Sequence, residues 1–278
     1  MKRVCSIQDI SCLGRCSQTV ALPVISAMGV ECAIVPTAVL STHTMFQGFT
    51  CKDLSDQIRP IADHWEKERF EFDALYSGYL ASGEQAADVC DFFHRFRGKD
   101  TLIFVDPAMA DNGKLYPAFD AAFPAEMAKV CAMADIVLPN LTEACLLTET
   151  PYQDKFSRAD VENLLRKLCA MGAKQAVITG VGFEEGEYGV MSYDPATDSF
   201  FTYFSQLLPT SYHGTGDLFA STCVGAMMNG YSLSEALKVA VDYTVQCIRI
   251  TAEAGHEHWY GVEFERAIPY LLKRINKV

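Results

Sequence analysis

T-L-I-F-V-D-P, residues 101–107, places an uncharged apolar strand directly before a carboxylate and a proline. Pro107 cannot donate to a strand ladder, so the strand ends before Asp106. The stretch I-V-L-P-N, residues 136–140, has the same form and ends in Asn140. Ligands of open parallel sheets bind at the carboxyl ends of the strands. The polar side chains that follow these two strands are therefore candidates for a binding site.

Strand-like and helix-like patterns alternate from one end of the chain to the other. This alternation predicts an α/β protein, a three-layer α/β/α sandwich in which helices cover a largely parallel sheet. Strands are predicted at residues 3–7, 32–36, 73–77, 101–105, 136–138, 176–179, 188–193 and 199–204. Helices are predicted at residues 17–28 with a kink at Pro23, after the caps Ser82, Ser157 and Ser232, from Gly216, and at residues 262–275.

The last two predicted strands flank a turn-rich segment, residues 194–198. Such a turn predicts an antiparallel pair at one edge of the sheet. No internal repeat, low-complexity tract or linker interrupts the pattern. We therefore predict one domain that spans residues 1–278.

Composition excludes several classes of protein. The net charge of −12 disfavours a nucleic-acid partner. The eleven cysteines are odd in number and form no C-x-x-C pair, which indicates reduced thiols. We find no signal peptide at the start of the chain and no apolar run long enough for a membrane helix. The expected location is the cytoplasm, with no membrane partner.

The motif G-T-G-D, residues 214–217, precedes a helical run of small residues. Its two glycines allow backbone N–H groups to point at an anion, and Asp217 lies next to them. An anion site beside a proton acceptor suits phosphoryl transfer to a hydroxyl group. Taken alone, the motif is equally compatible with a tight turn that caps a helix.

Two further motifs contribute carboxylates. Asp106 and Asp111 lie in a glycine-containing loop, and Asn140 and Glu143 lie where a strand ends and a helix begins. Carboxylates in such places suit Mg²⁺, held directly or through water, that bridges nucleotide phosphates. The alternative is structural, with Asn140 as a helix cap and Glu143 as its first-turn partner.

Together these motifs resemble the pyridoxal/pyridoxamine (vitamin B6) kinase family of the ribokinase-like superfamily. The resemblance spans nearly the whole chain and keeps its order. The matching motifs are S-I-Q (6–8), S-T-H-T (41–44), S-G-Y (77–79), D-P-x-M-x-D-x-G-K-L-Y (106–116), P-N-x-x-E-A (139–144), V-I-T-G (177–180) and G-T-G-D (214–217). The 106–116 stretch is the most specific to B6 kinases, and G-T-G-D is common to the superfamily.

The resemblance implies a role for each matching position. Asp217 is the implied general base, and the N–H groups of Gly214, Thr215 and Gly216 form the implied anion hole. The implied ATP-binding residues are Asp106, Asp111, Asn140, Glu143, Thr179, Gly180, Gly214 and Gly216. Asp106 and Glu143 are the implied metal positions. The implied substrate-binding residues are Asp9, Ser11, His43, Thr44, Tyr79 and Asp217. The loop after Asp106 resembles the flap that covers ATP and substrate.

One position departs from the family. Bacterial B6 kinases usually read S-I-Q-S-H-V-V-Y-G, whereas residues 6–14 read S-I-Q-D-I-S-C-L-G. The ring-contacting serine of the family therefore aligns with Asp9, and Ser11 follows two residues later. A carboxylate near the ring nitrogen favours its protonated form, whereas a hydroxyl donates or accepts. In the structural alternative, Asp9 only caps a loop. The preferred vitamer stays open.

The implied reaction is ATP-dependent phosphorylation of the 5′-hydroxymethyl group of pyridoxal, pyridoxamine or pyridoxine. The resemblance further implies Mg²⁺ and a homodimer, and it leaves open a monovalent cation such as K⁺. One alternative is a hydroxymethylpyrimidine kinase of thiamine synthesis, although those proteins often carry cysteine where this chain has Asp217. A non-catalytic B6-binding protein is the other alternative. The stretch H-E-H, residues 256–258, is predicted as an exposed loop rather than a metal site.

Overall fold

The structure is a computed structural model that describes residues 1–206, 208, 212–255 and 260–277. Its strands are β1 (Arg3–Leu13), β2 (Glu31–Thr42), β3 (Cys51–Asp53), β4 (Ala74–Ser77), β5 (Leu102–Val105), β6 (Ala110–Asp111), β7 (Lys114–Leu115), β8 (Ile136–Val137), β9 (Gln175–Val181), β10 (Glu187–Asp194) and β11 (Ser199–Gln206). Its helices are α1 (Gln18–Ala27), α2 (Ser55–Lys67), α3 (Gly83–Phe96), α4 (Phe123–Cys131), α5 (Leu141–Leu147), α6 (Arg158–Ala170), α7 (Thr215–Met228), α8 (Leu233–Glu253) and α9 (Phe264–Arg274). The H-E-H stretch lies outside the described residues.

The central sheet has nine strands in the order β11-β10-β9-β8-β5-β4-β1-β2-β3. The six strands from β9 to β2 in this order are mutually parallel. Strands β10 and β11 form the predicted antiparallel edge. A second antiparallel strand, β3, pairs with β2 at the opposite edge, which the sequence did not predict. The prediction of a largely parallel sheet is confirmed.

Side chains alternate across the sheet and so build two cores. In β5, Ile103 and Val105 pack into one core and Phe104 into the other, as the two-residue repeat of a strand requires. The first core also takes residues from α2 to α6, and the second takes residues from α1, α7, α8 and α9. The predicted three-layer α/β/α sandwich is therefore confirmed.

The first two strands run further than the sequence predicts. In the β1–β2 ladder, Gln8 pairs with Pro36 and pairing resumes at Ile10 and Val39. Two residues of β2 thus lie opposite Asp9, which makes a β-bulge. The bulge lets β1 continue to Leu13, so Asp9 lies inside the strand and does not cap a loop.

The predicted serine caps are confirmed. Ser82 Oγ accepts from the Gln85 N–H (3.2 Å), and Ser157 and Ser232 each form a complete capping box. Helices α2 and α4 were not predicted. Pro60 interrupts the α2 pattern, and α2 buries only Ile58 and Ala62.

All eleven cysteines are free thiols, as the sequence indicated. Among the helices of the described residues, none combines the length and the apolar character that a membrane span needs.

Candidate active site

A cavity of about 220 Å³ opens at the carboxyl ends of the parallel strands. Its wall brings together fourteen of the residues that the sequence singled out. They are Asp9, Ser11, His43, Thr44, Tyr79, Asp106, Asp111, Asn140, Glu143, Thr179, Gly214, Thr215, Gly216 and Asp217. Gly180 is not part of this wall. It has φ 74° and lies in β9 at a bulge opposite β10.

The start of α7 presents backbone N–H groups to the cavity. Gly214 is the N-cap residue, and its left-handed conformation (φ 78°) favours glycine. A Cβ at Gly214 would overlap the carbonyl oxygen of Arg15, so the close approach of two backbones also requires glycine. A Cβ at Gly216 would lie 4.0 Å from Asp106 Oδ2, directed into the cavity. The first N–H groups of a helix lack intrahelical partners and attract anions.

Asp217 lies in the first turn of α7, beside these N–H groups. The backbone N–H of Ser17 donates to its carboxylate. Burial, with a smaller contribution from the nearby Asp9, raises the pKa of Asp217 to about 7. A carboxyl group with a pKa near neutrality can accept a proton at physiological pH and hold it in the product state.

Asp9 and Ser11 both face the cavity from β1. The Ser11 hydroxyl donates to Asp9 Oδ2 (3.1 Å), and the Ser17 side chain is also hydrogen-bonded to Asp9. Burial raises the pKa of Asp9, and these two hydrogen bonds oppose the rise. Both residues that the sequence offered for substrate contact are thus available to a ligand.

Ser17 connects the two carboxylates and was missed from the sequence. It precedes α1 with φ 50° and ψ −133°, a conformation that is strained for a residue other than glycine. Its side chain does not cap α1 but is directed to Asp9. The sequence carries no signal for this conformation, because serine rarely adopts positive φ. Other lining residues that the sequence did not single out include Cys16, Leu40, Tyr116, Leu138, Tyr188, Tyr212 and Phe219.

Asn140 and Glu143 form the capping box of α5. Glu143 N–H donates to Asn140 Oδ1 (3.0 Å), and Asn140 N–H donates to Glu143 Oε2 (2.9 Å). Glu143 Oε1 accepts from the N–H groups of Met109 (3.0 Å) and Ala110 (3.4 Å). The structural alternative for this motif is thereby realised, and both residues also line the cavity.

Asp106 and Glu143 are buried close to each other. Burial raises the pKa of Glu143 to about 8, against the opposing effect of its backbone donors. The pKa of Asp106 rises well above its usual range because of burial and the neighbouring carboxylates Glu143 and Asp217. A cation at this place would relieve the repulsion between the carboxylates.

The loop after Asp106 is a small hairpin, β6 and β7, which we call the flap. Its tip is Asn112-Gly113, and both residues have positive φ (50° and 75°), as a type I′ turn requires. Gly113 N–H donates to Thr142 Oγ1 (3.0 Å), and Asn140 Nδ2 donates to the Ala110 carbonyl (2.8 Å). The flap is therefore attached to the start of α5.

Aromatic rings line the other side of the cavity. Tyr79 packs against Phe119 at 5.4 Å between ring centroids. His43 and His213 lie with their rings 4.4 Å apart, and burial together with His43 lowers the pKa of His213 to about 4. Burial also lowers the pKa of His43. Both imidazoles are therefore neutral at pH 7, and the cavity wall contains no lysine or arginine among the described residues.

Comparison with known families identifies the chain. Residues 21–261 match the sequence profile of the phosphomethylpyrimidine kinase family. The chain belongs to this family. Among the family's curated relatives, a pyridoxal kinase PdxY of Haemophilus influenzae is 29% identical over 266 residues, which cover 92% of this chain and 91% of that protein.

Two solved structures are similar over almost their whole length. One is a candidate phosphomethylpyrimidine kinase from Bacteroides thetaiotaomicron with pyridoxal, at 37% identity and a TM-score of 0.93, covering 97% of this chain and 95% of that one. The other is a pyridoxal kinase from Lactobacillus plantarum, at 32% identity and a TM-score of 0.90, covering 98% and 97%. The resemblance to B6 kinases with a ribokinase-like fold is confirmed.

Proposed function

We propose that this member of the phosphomethylpyrimidine kinase family transfers the γ-phosphoryl group of ATP to the 5′-hydroxymethyl group of a B6 vitamer. The observation that carries the proposal is the placement of Asp217 beside the N–H groups at the start of α7. Relatives named pyridoxal kinase, and a similar structure that contains pyridoxal, support this substrate class. The products are a vitamer 5′-phosphate and ADP.

In this mechanism Asp217 accepts the proton of the 5′-hydroxyl group. The hydroxyl oxygen forms a bond to the γ-phosphorus as the bond from that phosphorus to the bridging oxygen of ADP breaks. The N–H groups of Gly214, Thr215 and Gly216 donate to the phosphoryl oxygens, where negative charge develops. His43, Thr44 and Tyr79 hold the pyridine ring, with Asp9 and Ser11 on the adjoining wall.

We propose that Mg²⁺ accompanies ATP. Among the described residues there is no preformed cluster of three or more metal-ligating side chains. Asp106 and Glu143 nevertheless fit a cation, because both are buried carboxylates whose pKa values are raised. Mg²⁺ usually keeps several waters and binds through one or two carboxylates plus substrate phosphates. When bound, it supplies positive charge to the phosphates. Dependence on K⁺ stays a prediction.

The nucleotide is proposed to lie between the flap and β9. Asp111, Asn140 and Thr179 face this part of the cavity. Thr179 N–H donates to the Pro139 carbonyl (2.9 Å), which joins the ends of β8 and β9. Gly180 follows directly and lies beneath Tyr188, a neighbour that the sequence did not suggest.

A hydroxymethylpyrimidine kinase is the second candidate, because the matching family is described as phosphomethylpyrimidine kinase and so points to a related pyrimidine substrate. Both reactions phosphorylate a hydroxymethyl group on a heteroaromatic ring. An assay of ATP-dependent phosphorylation with pyridoxal, pyridoxamine, pyridoxine and hydroxymethylpyrimidine in parallel separates them. Turnover of hydroxymethylpyrimidine alone would overturn the proposed substrate class.

Asp217→Asn tests the proposed base. We expect kcat to fall ~10²–10⁴-fold, because removal of a positioned general base costs about that much. The matched control is Asp100→Asn, an exposed carboxylate before β5 at the opposite end of the sheet, which should retain full activity. Steady-state kinetics and thermal melting of both variants make the comparison. A folded Asp217→Asn variant with normal turnover would contradict the assignment.

We further propose a homodimer, a single kinase domain and a cytoplasmic location. The edge strand β3 is exposed, and Leu13, Met45 and Phe49 expose apolar side chains near the same edge, which supports a second copy as partner. The nine-stranded sheet takes strands from residue 3 to residue 206, which supports a single domain. The free thiols support a reducing compartment.

A further inference from the structure

Asp9 is a buried carboxylate that lacks a cationic neighbour in the described part of the cavity wall. Five carboxylates line the cavity, namely Asp9, Asp106, Asp111, Glu143 and Asp217, and they face no lysine or arginine there. Asp106, Asp111 and Glu143 lie on the flap side, where ATP and its metal are proposed to bind. Asp9 lies on the other side and is only 4% exposed. A buried carboxylate is costly unless a cation or a hydrogen-bond donor compensates it.

Ser17 fixes the position of Asp9 relative to the proposed base. The Ser17 side chain is hydrogen-bonded to Asp9, and its backbone N–H donates to Asp217. The carboxylates of Asp9 and Asp217 therefore lie side by side, because both are hydrogen-bonded to Ser17. Ser11 also donates to Asp9 Oδ2 (3.1 Å). Since a carboxylate has about four acceptor sites, Asp9 can still accept from a ligand.

The titratable groups around Asp9 are neutral or negative at pH 7. They are the thiols of Cys16 and Cys51, the phenol of Tyr79 and the carboxyl group of Asp217. Burial raises the pKa of each thiol, and it raises the pKa of Tyr79 to about 12. A ligand is therefore the natural source of a positive charge beside Asp9.

The substituents of a B6 vitamer match this pair of carboxylates. The 5′-hydroxymethyl group and the 4′ substituent are on neighbouring ring carbons, whereas the ring nitrogen is not adjacent to either carbon. With the 5′-hydroxyl group at Asp217, the 4′ substituent comes next to the adjoining carboxylate. We propose that Asp9 is a specificity-determining residue that pairs with a protonated 4′-aminomethyl group, so that the chain prefers pyridoxamine. This inference rests on the proposed function.

The test compares pyridoxamine with pyridoxine, which are similar in size but carry an ammonium and a hydroxyl group at the 4′ position. We expect wild type to favour pyridoxamine in kcat/KM by about tenfold or more, as pairing with a buried charge can provide. In Asp9→Asn this preference should fall by about tenfold or more, because kcat/KM should decrease for pyridoxamine and change little for pyridoxine. The neutral variant Asp9→Ser should behave in the same way.

Asp111→Asn is the matched control, because it removes one charge from the same cavity on the flap side. It should lower kcat/KM for both vitamers by the same factor, so that the ratio of the two kcat/KM values is unchanged. Equilibrium binding of each vitamer without ATP, with melting curves for every variant, separates specificity from folding. Wild type that favours pyridoxine, or an Asp9 variant that keeps the wild-type ratio or weakens both vitamers equally, would overturn the inference. Failure of wild type to phosphorylate any vitamer would instead overturn the proposed function.

Discussion

At the scale of single residues, Asp217 shows how burial adapts an ordinary carboxyl group to proton transfer. Burial and the adjoining Asp9 favour its neutral form, whereas the Ser17 N–H favours its ionised form. These opposing effects place its pKa near 7. A base with such a pKa is substantially ionised at neutral pH and still has enough affinity to accept a proton. The surroundings of Asp217 therefore prepare it for the proposed role.

This raised pKa predicts opposite effects of pH on activity and on stability. Activity should rise with pH through about 7, because the base must be ionised. The folded state binds more protons than the unfolded state between the ordinary carboxyl pKa and about 7, so the free energy of unfolding should fall as pH rises through that window. In Asp217→Asn, the part of this decrease in the free energy of unfolding that comes from Asp217 should be absent. The pH profile of kcat/KM and urea unfolding at pH 4, 6 and 8 measure both effects. A kcat/KM that does not change with pH below about 7 would contradict the predicted effect on activity.

The two glycines at the start of α7 should differ in what they tolerate. Gly214→Ala places a Cβ against the Arg15 carbonyl at positive φ, so the variant should be destabilised by about 1–3 kcal/mol or more. Gly216→Ala meets only open cavity, so it should fold normally and lose catalysis by crowding the phosphoryl group. Melting temperature and kcat distinguish the two variants. Normal turnover by Gly216→Ala would contradict the proposed anion hole.

At the scale of elements, the flap and α5 act as one unit because Glu143 holds both. One carboxylate oxygen accepts from Asn140 at the start of the helix, and the other accepts from Met109 and Ala110 at the base of the flap. The proposed role as metal ligand and the observed role as structural anchor therefore fall on one side chain, that of Glu143.

Glu143→Gln separates these roles. In either orientation its amide NH₂ group faces a backbone N–H donor, so the metal-free protein should be destabilised by about 1–3 kcal/mol. A residue that only binds metal would leave the metal-free protein unchanged. Chemical denaturation in the presence of a chelator measures the difference. Glu126→Gln, which removes the carboxylate paired with exposed Lys129 on the outer side of α4, is the control and should change stability little.

Elements with strong local patterns could be predicted, and those defined by distant contacts could not. The caps at Ser82, Ser157 and Ser232 are local, and each predicted its helix correctly. The extension of β1 past Asp9 depends on a bulge in a partner strand, which no local pattern reports. Strand β3 is wholly exposed and so lacks an apolar alternation.

In the candidate site, too, residues in local motifs could be predicted, whereas contacts between distant parts of the chain could not. Motifs at strand ends and at the start of α7 predicted the side of the cavity wall that carries Asp106, Asn140, Glu143 and residues 214–217, since their positions follow from the sheet. The substrate side of the wall was implied only by the family resemblance. The loop predicted after Asp106 is a hairpin in the structure, and the pair Asn112-Gly113 is its local sequence signal. The link between Ser17 and Asp217 joins distant parts of the chain and depends on an unusual backbone conformation. Only the folded structure shows it.

At the scale of the whole molecule, both the net charge and the charges of the cavity wall are negative. The chain carries a net charge of −12, and the described cavity wall has carboxylates without lysine or arginine. ATP without a divalent cation is therefore repelled both by the overall field and by the local carboxylates.

We expect ATP affinity to fall at least about hundredfold when Mg²⁺ is replaced by a chelator, equal to about 2.8 kcal/mol. Added NaCl should partly restore binding of metal-free ATP, because salt screens the repulsion. Isothermal titration with and without Mg²⁺ at two salt concentrations measures both effects. Equal affinity under all conditions would show that backbone N–H groups alone hold the nucleotide.

The contacts of Arg15 join the first loop of the chain to its last third. Arg15 N–H donates to the Tyr260 carbonyl (3.4 Å), Arg15 Nε pairs with Glu265 (3.1 Å), and the Arg15 carbonyl lies against Gly214. Ser17 meets Asp217 at the same junction. Gly214, Asp217, Tyr260 and Glu265 all follow the last parallel strand in the sequence, so these partners are synthesised after the parallel part of the sheet. We therefore expect this junction, and with it the position of Asp217 next to Asp9, to form only after the strands of the central sheet have been synthesised.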